Sequence, residues 1–216
     1  MQPLTWIFDL DNTLHDASPH IFPHINRSMT AYLREHLLLD EAEAHALRVR
    51  YWHRYGATLL GLMRHHGTDP HHFLWHTHQF PELGPMVVAD RAALAAMRRL
   101  PGRKILFSNS PAHYAQAIVA LLRLSTWFDA IYAIEHVRFE PKPSLAGFRR
   151  LLRAERLVAT RCVMVEDSLP NLRAAKRLGM KTVWVSAAHR SPPYVDARVV
   201  SVGELRRRAD DLDRAR

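Results

Sequence analysis

The sequence has a single cysteine, Cys162, so it forms no intrachain disulfide and suits a reducing compartment. Glycine is scarce, at 8 of 216 residues, and no biased or low-complexity stretch occurs, which removes collagen-like and disordered classes. No apolar run approaches the roughly 20 residues that cross a bilayer. None is longer than Ala117 to Leu122. Asp9 and Asp11 lie where a signal peptide needs apolar residues, so the expectation is a soluble, cytoplasmic protein with no membrane partner. Neither G-x-G-x-x-G nor G-x-x-x-x-G-K-[ST] occurs, which argues against dehydrogenase and ATPase readings. Lysine is rare as well, 4 residues against 26 arginines, so a lysine in an unusual context stands out.

What is present is an ordinary globular composition, 48% hydrophobic and 24% charged. A chain of this length makes one large domain, or one domain with an accessory module, and buries roughly 70% of its unfolded surface. The net charge of +9 invites a nucleic-acid reading, but its distribution is uneven. Residues 1–14 carry two acids and no base, residues 15–85 carry 6 Arg and 7 acids, and residues 86–216 carry 24 basic and 12 acidic groups. Much of the excess is interspersed on helical faces, as in Arg149, Arg150, Arg153 and Arg156 around Glu155, and no RNA-binding fingerprint with interleaved aromatics accompanies it. The charge reads as solvated surface, with a polyanion-binding face as the rival.

Short apolar runs at Leu4 to Phe8, Lys104 to Phe107, Ala130 to Ile134, Cys162 to Val165, Thr182 to Val185 and, more weakly, Arg198 to Val200 predict buried strands. Helical patterns cover Asp90 to Leu100, Pro111 to Arg123, Pro143 to Arg156 and Leu169 to Leu178, the last closed by Gly179. This alternation predicts an α/β fold with a doubly wound, mostly parallel sheet. Residues 15–85 depart from it: they are helical in pattern and hold 12 of the 15 histidines. They read as a helical insertion after the first strand, where an added module can serve as a lid over the ligand end of an open sheet.

Four segments carry chemistry. Asp9-Leu10-Asp11-Asn12-Thr13 directly follows the first strand, and two carboxylates so spaced share a loop crevice, where one can attack while the other handles protons, or both approach a cation. The plainer alternative is a turn that caps a helix. Ser108-Asn109-Ser110 before Pro111 is a small hydroxyl with backbone N–H groups at a helix start, an anion site or simply a helix start. Lys142 stands between Pro141 and Pro143, which stiffen the backbone that carries its ammonium; a surface lysine is the alternative. Glu166-Asp167-Ser168 ends another strand, with Asn171 a turn later, and adjacent carboxylates there call for a hard cation such as Mg2+ unless they merely cap the helix.

In this order, at the ends of parallel strands, the four segments resemble the motifs of the haloacid dehalogenase superfamily of phosphohydrolases. The likeness spans almost the whole chain, with a core of residues 1–14 and 86–216 and a helical cap of residues 15–85. The resemblance implies that Asp9 is the nucleophile forming an aspartyl-phosphate, Asp11 the general acid and then base, Ser108 a ligand of the phosphoryl oxygens and Lys142 a charge-steadying group. It implies Mg2+ held by Asp9, the Asp11 backbone carbonyl and Asp167, with Glu166 a direct or water-mediated ligand. Dehalogenase members lack a carboxylate at the position of Asp11, so the resemblance favours phosphate ester hydrolysis.

A narrower resemblance joins Tyr51-Trp52-His53-Arg54-Tyr55-Gly56, Gly61-Leu62, His65-His66, Asp69-Pro70 and the stretch Ile25 to Leu39 to the cap of the pyrimidine 5′-nucleotidases. It implies UMP or CMP as the small-molecule phosphomonoester, with Asn109, Tyr51, His53 and Tyr55 as substrate-binding candidates. Tyr51 and Tyr55, four apart, are either a stacking surface or a core stripe. The rival substrates are a sugar phosphate or phosphoglycolate. The rival of another class is a non-catalytic nucleic-acid-binding protein on the same scaffold. The pairs His20 and His24, and His72 and His76, have a zinc-compatible spacing without a Cys or H-E-x-x-H companion, and are expected to be solvated or substrate-facing. Cys162, opening a buried strand, is expected to be a packed thiol.

Overall fold

The structure, a computed structural model, describes residues 3–214. The chain divides into two compact units: one ends its first segment at Asp16 and resumes at Val88, and the other is Ala17–Val87.

The first unit is built on six strands, β1 (Thr5–Phe8), β2 (Lys104–Phe107), β3 (Ala130–Tyr132), β4 (Cys162–Glu166), β5 (Lys181–Val185) and β6 (Ala197–Val199). They form one sheet in the order β3-β2-β1-β4-β5-β6, with every neighbouring pair parallel. The central strands are uninterrupted apolar runs because both of their faces are covered. Trp6, Ile7, Phe8, Ile105, Leu106, Phe107 and Cys162 to Val165 are all fully buried. From β1 the chain winds outward through β2 and β3, then returns to lay β4 on the other side of β1 and continues outward. The order therefore reverses between β1 and β4, where Phe8 pairs with Val165, and in open parallel sheets ligands bind beyond the strand ends at such a reversal.

The helical unit comprises α1 (Ile21–Leu37), α2 (Glu41–Tyr55), α3 (Thr58–His66), α4 (Pro70–Thr77) and the short α5 (Leu83–Met86). Its ends are written in the sequence. Asp40 accepts from the Glu43 N–H at 2.8 Å while Glu43 accepts from the Asp40 N–H at 3.0 Å, a complete capping box for α2. Gly56 and Gly67 close α2 and α3 at φ of +80° and +62°, a conformation that penalises a side chain. Ile21, Leu33, Leu62 and Phe73 form its core. No helix among the described residues is long and apolar enough to cross a membrane.

The remaining helices belong to the α/β unit: α6 (Arg91–Met97), α7 (Ala112–Leu121), α8 (Leu145–Ala154), α9 (Leu169–Arg177) and α10 (Leu205–Arg214). Strands and helices start and stop within a few residues of the sequence reading. β3 is shorter than its apolar run, since Ile134–Val137 turns into a 3-10 helix that still buries Ile134 and Val137. The helix α10 was not anticipated.

Candidate active site

The site grows from the turn after β1. The Asp9 N–H donates to the Val165 carbonyl at 3.0 Å, so Asp9 is held against β4 as the strand ends. Asn12 takes a left-handed φ of +63°, and the Leu10 carbonyl accepts from Thr13 and Leu14 N–H groups at 3.3 and 2.9 Å. This tight turn brings the Thr13 hydroxyl back to donate to Asp9 Oδ2 at 3.4 Å.

Lys142 enters from the loop before α8. Its backbone is clamped by one side chain: Asn109 Nδ2 donates to the Lys142 carbonyl at 2.9 Å and the Lys142 N–H donates to Asn109 Oδ1 at 2.8 Å. The side chain runs through the core, only 2% exposed, past the Phe107 ring at 5.2 Å. Its ammonium donates to Asp9 Oδ1 at 2.5 Å and to Glu166 Oε2 at 2.8 Å. Glu166, at the end of β4, also accepts from Asn171 Nδ2 at 3.0 Å and from the Ser168 N–H at 3.1 Å. The next carboxylate, Asp167, has its backbone fixed by Trp184, whose Nε1 donates to the Asp167 carbonyl at 2.8 Å. Ser168 heads α9 without a side-chain capping bond.

The electrostatics are those of a site with too much negative charge. Burial, then the Glu166 charge, push the Asp9 carboxyl up from its usual 3.8 to about 7 against the pull of Lys142. Burial raises Glu166 despite Lys142, and burial raises Asp167 as well. Burial alone would lower Lys142, but the Asp9 and Glu166 charges outweigh it and keep the ammonium protonated. One carboxylate oxygen from each of Asp9, Glu166 and Asp167 lies within 4.8 Å of the others. Three acids against one lysine, with Asp9, Glu166 and Lys142 buried and Asp167 half-buried, leave an excess that a hard, oxygen-liganded cation such as Mg2+ fits.

Asp11 stands apart from that cluster. Its Oδ1 accepts from the Tyr114 hydroxyl at 2.6 Å and pairs with His15 Nε2 at 3.0 Å, and its Oδ2 accepts from the Ser110 hydroxyl at 2.7 Å. Burial would raise its pKa, but the bonds from His15, Tyr114 and Ser110 prevail and hold the carboxyl below its usual range. The Tyr114 hydroxyl is pushed up by burial and by the Asp11 charge, so it stays a donor. Ser108, 1% exposed at the end of β2, accepts the Ser110 N–H on its Oγ at 3.0 Å. At the start of α7 the Ala112 N–H is already taken, donating to the Glu135 carboxylate at 3.0 and 3.1 Å. A cavity of about 290 Å³ opens beside the turn, lined by Asn12, His15, Val88, Leu94, Val185 and Val202, and none of the three clustered carboxylates lines it.

The structure thus brings together Asp9, Lys142, Glu166 and Asp167, and sets Asp11 among Ser110, Tyr114 and His15. Asn109, read from sequence as a substrate contact, has both of its amide atoms bonded to the Lys142 backbone. In the helical unit, Tyr51 is a core residue: its ring fills the space over Gly61, where an added Cβ would lie 2.2 Å from the ring, and its hydroxyl pairs with His66 Nε2 at 2.8 Å. Tyr55 is half-buried and pairs with His65 Nε2 at 2.5 Å, while His53 is exposed beside Trp52. His24 bonds to the Gln79 carbonyl at 2.7 Å, and His72 Nδ1 to the Tyr32 hydroxyl at 2.9 Å. No histidine belongs to the metal-competent group found among the described residues. Cys162 is buried, its thiol raised by burial to about 11. Sequence reasoning missed His15 and Tyr114, and it had Ser110 only as part of the helix-start segment, without its bond to Asp11.

Several solved structures share this architecture. A HAD phosphatase from Thermococcus onnurineus matches with a TM-score of 0.63 at 21% identity, over 96% of this chain and 97% of its own. CbbY from Rhodobacter sphaeroides, in complex with phosphate, matches at 0.62 and 19%, over 94% and 96%. L-2-haloacid dehalogenase from Xanthobacter autotrophicus, with chloropropionic acid covalently bound, matches at 0.60 and 15%, over 97% and 99%. These likenesses are of fold. The family match rests on the sequence itself and runs over residues 5–179, from β1 to the glycine that closes α9: the chain belongs to the haloacid dehalogenase-like hydrolases.

Proposed function

We propose that the protein hydrolyses phosphoric monoesters through a covalent phosphoenzyme on Asp9. The observation that carries this reading is the second carboxylate, Asp11, held by three donors two residues after Asp9. A haloacid gives up a halide, which needs no proton, whereas an alcohol leaving from phosphorus does. A carboxyl held below its usual range is a carboxylate in the free protein, so the proton that it passes to the alcohol has to enter with the ester as its monoanion, and it is a carboxylate again when water must be deprotonated.

An Asp9 oxygen attacks phosphorus and the alcohol departs with a proton from Asp11. Water then loses a proton to Asp11, attacks the aspartyl-phosphate and frees Asp9 and phosphate. A phosphate dianion repels a carboxylate, so Lys142, already against Asp9, offsets charge at the point of attack. The Ser108 hydroxyl would donate to phosphoryl oxygens. Asp9, Asp167 and the Asp11 carbonyl would hold Mg2+, with Glu166 as a direct or water-mediated ligand. Bound there, the ion supplies positive charge to the phosphoryl oxygens.

Within this class we favour a pyrimidine nucleoside 5′-monophosphate, UMP or CMP, on the resemblance of residues 51–70. With Tyr51 packed on Gly61, the named cap candidates left for contacting a base are the exposed His53 and the half-buried Tyr55. The test is hydrolysis of p-nitrophenyl phosphate and a panel of nucleotides, sugar phosphates and phosphoglycolate. Activity is expected to disappear in Asp9→Asn and in EDTA. Equal rates for Asp9→Asn would remove the nucleophile, and a purine nucleotide or sugar phosphate ahead of UMP and CMP by about tenfold in kcat/KM would end the pyrimidine reading alone.

A further inference from the structure

We propose that Tyr114 is a positioning residue for proton transfer: with His15 it saturates Oδ1 of Asp11, so that Oδ2 is the atom exchanging the proton with substrate. The proposal rests on the phosphomonoesterase reading and adds to it a residue and an atom.

A carboxylate offers about four lone-pair sites, two on each oxygen. Oδ1 of Asp11 meets two partners, Tyr114 at 2.6 Å and His15 at 3.0 Å, and is filled. Oδ2 meets the Ser110 hydroxyl at 2.7 Å and keeps one site open. Serine can donate to a carboxylate and accept from a carboxylic acid, so its contact with Oδ2 survives both protonation states.

The scaffold behind the phenol is rigid. Tyr114 is 1% exposed, on the inward face of α7 with Ala115, Ile118 and Val119. Among such neighbours an unpaired hydroxyl is destabilising. Asp11 satisfies that hydroxyl, and the ring in turn fixes the carboxylate's rotation from a partner 103 residues away in sequence.

In the first half-reaction the Oδ2–H bond breaks and the proton joins the alcohol oxygen as the phosphorus–alcohol bond breaks and the phosphorus–Asp9 bond forms. In the second, water gives a proton to Oδ2 while its oxygen bonds phosphorus and the phosphorus–Asp9 bond breaks. Without Tyr114 the carboxylate can turn about its own axis and present either oxygen.

The test is Tyr114→Phe, which keeps the ring, assayed with Mg2+ on p-nitrophenyl phosphate and on the best-hydrolysed alkyl phosphate of the panel. Nitrophenolate departs without a proton, so its release in the first turnover should change by less than about twofold, followed by slow turnover as dephosphorylation lags. On the alkyl ester kcat should fall by about tenfold to a hundredfold with KM unchanged. His15→Gln, which removes the other partner of Oδ1, should follow the same pattern, and it carries the comparison if Tyr114→Phe does not fold. Equal losses on the first turnover of both esters would assign Tyr114 a structural role, and no loss on either would remove it from catalysis. A wild-type protein inactive on every ester would instead overturn the parent reading, and this one with it.

Discussion

If Asp9 is held in a site built to be charged by its ligands, the metal-free protein should be stabilised by removing that charge. In the folded chain the Asp9 carboxyl titrates near 7 rather than 3.8, because burial and Glu166 together outweigh Lys142. The folded state therefore binds the Asp9 proton more tightly than the unfolded chain does. Stability from this group is fully present below pH 3.8 and is lost as pH rises through about 7. At about 1.4 kcal/mol per pH unit, ionised Asp9 costs the metal-free protein up to about 4 kcal/mol at pH 8. Asp9→Asn keeps the size and hydrogen-bonding capacity of the side chain, and Lys142 retains Glu166 at 2.8 Å as its counter-ion.

In EDTA at pH 8, Asp9→Asn is therefore expected to melt above wild type. At half of the ceiling, about 2 kcal/mol, the rise is roughly 4–8 °C. At pH 5 the wild-type carboxyl is protonated in the folded protein and the gap should shrink to less than half. Thermal melts from pH 5 to pH 8, with and without Mg2+, make the measurement. Adding Mg2+ at pH 8 should raise the wild type more than the variant. A variant that melts below wild type at pH 8, or a gap independent of pH, would refute the reasoning.

Two further outcomes follow from the same geometry. Mg2+ must displace the proton of Asp9, so its affinity, measured calorimetrically, should tighten by about tenfold per pH unit below pH 7 and level off above it, with about one proton released per ion at pH 6. Asn109→Leu removes both bonds that clamp the Lys142 backbone, so kcat on p-nitrophenyl phosphate should fall by about tenfold or more, and stability by about 1–3 kcal/mol in denaturant titration.

The sheet was legible because buried parallel strands are apolar on both faces, so each run is marked whatever surrounds it. The same signal overran β3, since Ile134 and Val137 are buried by a 3-10 turn, and an apolar run reports burial before it reports conformation. The α10 segment failed in the opposite direction. Only Leu205, Ala209 and Leu212 face inward in a stretch otherwise dominated by arginine and aspartate, and three apolar positions do not show through that much charge.

The site divides along a similar line. Residues whose chemistry is carried by neighbours in sequence, Asp9 with Asp11 or Glu166 with Asp167, could be read directly. Tyr114, Ser110 and Asn109 act on partners 103, 99 and 33 residues away, and a hydrogen bond made by the fold leaves no local pattern. Tyr51 shows how one missing side chain decides between readings. Its spacing from Tyr55 suited either a stacking surface or a core stripe. What approaches Gly61 is the Tyr51 ring itself, in the volume a Cβ would occupy, so the glycine and the tyrosine explain each other within the helical unit. A base-recognition role for this unit must therefore be sought in side chains that the packing leaves exposed, with His53 and Tyr55 before Tyr51.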